Sequence, residues 1–219
     1  MIDECEGIII RQTKTLKSRR MILMLTDRFG KISAGTSISE RGKGKTALAI
    51  RPFTHGKYQI NSSKGFTNIT SGEVLHSYYG LAENYDKFVN ASFALEFTSK
   101  ILPESAQANY YFSILKEYLT MIEKRKKSFS TVTNAYIIKL LQHSGVLPEA
   151  DIFEGDELLS TLDSDIVNLV LFFRNNPLSC TEKLALQSDK SAQLLRFLVS
   201  YAEQHLDIGQ LNSEIPKGD

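Results

Sequence analysis

Nowhere in this sequence does an apolar run approach the roughly 18 to 20 residues that a membrane-spanning helix requires. Its first ten residues, MIDECEGIII, carry acids where a secretory signal would carry positive charge. A cytoplasmic protein is expected. Cysteine is scarce: Cys5 and Cys180 lie far apart and form no CxxC, which supports neither a disulfide framework nor a cysteine-rich zinc site. His55, His76, His143 and His205 make no HxxxH or HExxH pair, and no GxSxG elbow marks a serine nucleophile. The acidic group Glu154, Asp156, Glu157, Asp163 and Asp165 lacks the alternating ligands and turn glycine of a calcium loop. No metal, no cofactor and no enzymatic activity are expected.

One stretch does look like a nucleotide site. SERGKGKTAL, residues 39–48, contains Gly44-Lys45-Thr46, the way a phosphate-binding P-loop ends. A P-loop needs glycine five residues before its final glycine, so that successive N–H groups can turn toward the phosphates. Ser39 stands there. A P-loop also opens a helix, whereas the following ALAIRPFTHGKYQI reads as strand and turn through Pro52, Gly56 and its β-branched and aromatic residues. The lysines need another explanation.

Charge supplies one. The chain of 219 residues is 42% apolar with a net charge of +1, ordinary values for a globular protein of one or two domains. That average conceals two unlike parts. Residues 1–80 hold thirteen Lys and Arg against six acids, a net +7, and the remainder holds thirteen against nineteen, a net −6. Different partners are expected for the two parts.

The patterning changes at the same place. Before Gly80, short segments (EGIIIRQT, RMILMLTD, GKISAGTSI, TALAIRPFTHGKYQI, FTNITSGEVL) are separated by turn signals. Five strands at this spacing predict a small closed barrel, with an OB-type barrel preferred over an SH3-like one. After Gly80, apolar residues recur at helical spacing. Tyr85, Phe88, Val89 and Leu95 begin one stripe, which Pro103 ends. Tyr111, Ile114, Leu115, Tyr118, Leu119 and Ile122 make a second, closing in the cationic EKRKK. TVTNAYIIKLLQHSG is a third, and SDIVNLVLFFRNN, apolar all round, is expected to be the buried central helix. Ser188 is expected to cap the last helix, and the polar tail GQLNSEIPKGD to fray. The fold class is α+β: a five-stranded OB-type barrel over 1–80, then a mainly α-helical domain over 81–219.

The cations of the first part fall in the proposed loops. KTLKSRR lies between the first and second strands, ERGKGK between the third and fourth, and SSKG in a later turn. In an OB barrel such loops line one face, where cationic groups follow phosphates while aromatics stack on bases. Gly42 and Gly44 let a backbone approach a phosphate closely. The bland alternative is that turn lysines only confer solubility.

The order of motifs resembles the bacterial recombination mediator family RecO, whose members open with a GIVL strand, continue with a TREHGK-like turn, place a basic loop before QPFT, and then turn helical. Here EGIII, TDRFGK, ERGKGK, RPFT and ENYDKF follow in that order between about residues 6 and 102. The resemblance implies an N-terminal OB fold that binds single- and double-stranded DNA, joined to a helical domain. It implies annealing of complementary strands and, with RecR, help in loading RecA onto DNA coated by the single-stranded-DNA-binding protein SSB. It implies a cytoplasmic, nucleoid-associated protein. Carried over by position, Lys14, Lys17, Arg19, Arg20, Arg41, Lys43 and Lys45 become candidates for contacting DNA, and Arg51 and Lys64, cations of the same basic part, join them. Lys124, Arg125, Lys139 and Arg174 become candidates for the helical partner site, which would receive the acidic, phenylalanine-ended SSB tail. Many members carry a four-cysteine zinc module in the helical region. HSGVLPEADIFEGDELL has no cysteine, so zinc is not expected. The alternative reading is a barrel-plus-helix adaptor that binds only proteins.

Overall fold

The computed structural model describes residues 2–14, 20–36, 38, 45–63, 65–102, 108–147, 163–209 and 211–218. The chain divides into two compact units, Met1–Tyr79 with Leu102–Lys116, and Gly80–Ile101 with Glu117–Asp219.

The first unit is a closed five-stranded barrel in the order β1-β2-β3-β5-β4, with β1 Ile2–Lys14, β2 Arg20–Thr26, β3 Gly30–Thr36, β4 Thr54–Ser63 and β5 Phe66–Ser77. The long β1 serves two neighbours: Ile2–Ile8 pair with β4, and Gly7–Lys14 pair with β2, with a bulge between Ile9 and Arg11. Alternation puts Ile9, Ile22, Met24, Ala34, Ile60 and Ile69 inside. The TDRFGK turn is held by Thr26, whose hydroxyl accepts from Phe29 N–H and donates to Gly30 carbonyl, both at 2.9 Å. Gly30 has φ 69°, which accounts for glycine there.

One expected strand is shorter than the sequence suggested. Lys45–Ala49 form a short helix, α1, and β4 begins only at Thr54. This helix closes one side of the barrel core, with Ala49 and Ile50 buried in it and the Tyr58 hydroxyl donating to Ala49 carbonyl at 2.6 Å. Gly72 makes room, because a Cβ there would lie 3.0 Å from the Ala49 Cβ. A helix therefore does open at Lys45, within the GKGKT stretch, as it would in a P-loop, and Ser39 in place of the required glycine is what excludes one.

In the second unit are α2 Tyr85–Ile101, the C-terminal part of α3 (Ala108–Lys124), α4 Phe129–His143, α5 Ser164–Asn175 and α6 Ser188–His205. The central helix is α4, twelve of whose fifteen residues are buried, and not α5, which buries only Ile166, Val170 and Phe173. The polar residues of α4 are buried because they are matched. Thr133 donates to Asn90 Oδ1 at 2.7 Å and pairs with the Tyr118 hydroxyl, while Asn134 Nδ2 donates to the carbonyl and hydroxyl of Ser191. Two smaller expectations also change. Gln187 occupies the N-cap of α6, so Ser188 is not its cap. The tail does not fray over 211–218: Glu96 accepts from Asn212 N–H, Asn212 Nδ2 and Ser213 N–H, and upstream of it Lys100 donates to Ile208 carbonyl.

Candidate nucleic-acid interface

Strand register brings Lys14 and Arg20 together at one edge of the barrel. Lys14 at the end of β1 pairs with Arg20 at the start of β2, and Arg20 pairs with Thr36 at the end of β3. The strand ends that flank segments 15–19 and 37–44, in which four of the nine expected cations fall, thus adjoin one another. Lys17, Arg19, Arg41, Lys43 and Lys64 themselves lie outside the described residues, as does the side chain of Lys45.

Beside that edge the outer barrel surface is concave. The row next to Lys14–Arg20–Thr36 runs Thr13, Met21, Gly35, Asn68 across four strands. Gly35 contributes no side chain between Met21 and Asn68, and the result is a groove of about 700 Å³ lined by Met21, Ser33, Gly35, Phe66, Asn68 and Thr70. Along β5, Phe66, Asn68 and Thr70 point outward together. Phe66 is 75% exposed, an unusual position for a large apolar ring. The surface offers cations, small polar groups and one bare aromatic. Arg51 is not part of it: it lies before β4, at the opposite end of that strand from the β4–β5 turn, and its guanidinium donates to the Tyr79 hydroxyl at 2.6 Å.

Comparison with known proteins now bears on this surface. The family model described as Recombination protein O N terminal matches residues 1–78, and the one described as Recombination protein O C terminal matches residues 82–151. The chain belongs to the RecO family. Relatives named DNA repair protein RecO include one from Alkaliphilus metalliredigens, 24% identical over 148 residues, 68% of this chain and 60% of the relative. One from Listeria welshimeri is 25% identical over 150 residues, 68% and 58%, and one from Halalkalibacterium halodurans 22% over 151 residues, 69% and 59%. The match thus spans about 60% of the length of these RecO relatives.

Within this RecO-family chain the helical candidates have different fates. Arg125 is turned inward, its guanidinium donating to the carbonyls of Lys127, Thr181 and Leu184. Lys139 donates to Arg174 carbonyl at 2.6 Å, and burial holds its pKa below the ordinary lysine value. Arg174 has a buried Nε with no hydrogen-bond partner among the described residues. Lys124 is exposed in the last turn of α3. Sequence reasoning overlooked a second groove, about 590 Å³, between α5 and the segment before α6, lined by Leu169, Phe172, Leu186 and Lys190, with Lys190 paired to Asp165. It also overlooked Phe66 and Met21, whose only sequence signal was an aromatic next to the SSKG turn. Among the described residues no helix is long and apolar enough to cross a membrane.

Proposed function

We propose that this chain is a non-enzymatic mediator of DNA recombination and repair that holds DNA on the outer face of its barrel. The observation that carries this reading is the paired Lys14–Arg20 edge beside an open groove on β2, β3 and β5, the face by which OB barrels take up oligonucleotides. The net +7 of residues 1–80 supplies a field that collects polyanions without reading sequence. Annealing follows from the same physics, since cations that neutralise phosphates reduce the repulsion between two strands held close together. The −6 of the remainder disfavours DNA there, and the helical unit is read as the side that meets proteins, RecR and the SSB tail. For the tail, the groove of Leu169, Phe172 and Leu186 would receive an aromatic ring, and Lys190 would exchange Asp165 for the terminal carboxylate. Action at the nucleoid follows from DNA as the ligand.

The test is a titration with labelled single strand and duplex at several salt concentrations. With about five phosphates neutralised, log K on single strands falls against log salt with a slope near −3.5, and complementary strands anneal faster with the protein than without. No DNA binding at low salt, in a chain that still binds a protein partner, would leave the adaptor reading standing instead.

A further inference from the structure

We infer that Phe66 is a base-stacking platform that makes this face select unpaired over paired DNA, a reading that rests on the DNA-binding function proposed above. Four observations converge. Phe66 is the most exposed large hydrophobic residue among those described, and leaving such a ring in water loses the burial that normally retains it. Its strand direction aligns it with Asn68 and Thr70, both exposed and both lining the groove. Gly35 leaves the groove floor open, since a Cβ there would stand 2.7 Å from Asn68 Oδ1. Lys14 and Arg20 lie one residue further along β1 and β2 than Thr13 and Met21, which puts cations at the barrel end next to the apolar spot and not in its row.

The chemistry that fits is a nucleobase on a tethered phosphate chain. An aromatic face accepts any base, which gives affinity without sequence preference. Ser33, Asn68 and Thr70 offer donors and acceptors for a base edge, and the cations at the adjoining strand ends suit the neighbouring phosphates. A duplex presents phosphates equally well, but both faces of its bases are already stacked on their neighbours. Phosphate contacts on this face are therefore shared by both forms, and the Phe66 contact is open only to an unpaired base.

The chain of 219 residues contains no tryptophan, so F66W places a single reporter on the platform. Its emission should be quenched on adding a thymidine oligonucleotide and much less on adding a duplex of equal length. F66A should weaken single-strand binding about tenfold, the scale of one aromatic–base stack, and leave duplex binding unchanged. F66Y should restore the loss, and F66L, similar in bulk but without a π-face, should not. Four results would overturn the inference while leaving the DNA-binding function intact: unchanged single-strand affinity in F66A, equal losses on both forms, full rescue by leucine, or F66W emission that ignores the oligonucleotide. Wild-type protein that binds neither form would instead bring down the proposed function itself. If F66A shifts sedimentation from oligomer to monomer with DNA affinity unchanged, the ring is a self-contact, and the stacking role falls.

Discussion

At the scale of single residues, the same side chain type serves opposite ends, and local sequence does not tell them apart. EKRKK reads as a solvated helix end, yet Arg125 from its middle turns inward and joins three backbone carbonyls, two of them in the Leu178–Leu184 segment. What decides this is a chain reversal more than fifty residues later, invisible to any window on the sequence. Hydrogen bonds to a charged donor contribute about 1.5–3 kcal/mol, and here several converge on one planar fork. R125A is therefore expected to lower stability by about 2–3 kcal/mol, with R125K recovering little because an ammonium cannot reach the three carbonyls in that geometry. Urea denaturation reads the loss as a lower midpoint. DNA affinity of the folded variant should be unchanged, and a variant as stable as wild type would return Arg125 to the solvated surface.

At the scale of elements, the barrel strands were legible because turn signals such as Gly30 bound short segments, and β2 and β3 were located on that basis. Helix α1 was not, since five residues cannot complete two turns of a periodic pattern and Ala-Leu-Ala-Ile fits a strand equally well. The rank of α4 was hidden for another reason: Ser130, Thr133 and Asn134 look like a solvated face until their partners on α2, α3 and α6 are known. The C-terminal segment teaches the same lesson, because a polar tail can be pinned by a single carboxylate. Burial raises the pKa of Glu96, but hydrogen bonds from Ser213 and Asn212 outweigh it and hold the group below its ordinary 4.5. A pKa depressed in the folded state contributes stability above the ordinary value, and that contribution disappears as pH falls through the folded pKa. Hydrogen exchange over 206–218, corrected for intrinsic rates, should therefore show protection at neutral pH that is lost below about pH 4. E96A should lack that protection at both pH values. A pH-independent profile in wild type would mean that Glu96 does not hold the segment.

At the scale of the whole molecule, the change of texture at Gly80 was plain in the sequence, but the allocation of α3 was not. Its apolar stripe is continuous from Tyr111 to Ile122, and periodicity assigns it to one layer. The structure divides it, with Leu102–Lys116 belonging to the barrel unit and Glu117 onward to the helical one. In the barrel unit, Phe112 is only 5% exposed, its ring lies 5.7 Å from that of His55, and Lys116 Nζ lies over it at 5.9 Å. The Tyr78 hydroxyl reaches Lys116 carbonyl at the far end of β5, and Glu6 of β1 meets His55 at 2.9 Å. Removing the ring should therefore damage the barrel, although residue 112 lies far along the chain from it. Truncating a buried phenylalanine costs about 3–5 kcal/mol, and the loss should fall on the elements that touch it. In F112A, hydrogen exchange should accelerate in β1, β4 and the end of β5, while α4 and α6, held by Asn134 and Ser191, should keep wild-type protection. Because the proposed DNA-binding edge is built on β1 and β2, single-strand affinity should weaken as temperature rises sooner than in wild type. Faster exchange confined to α4 and α6 would show that α3 belongs wholly to the helical unit, as its sequence periodicity alone suggests.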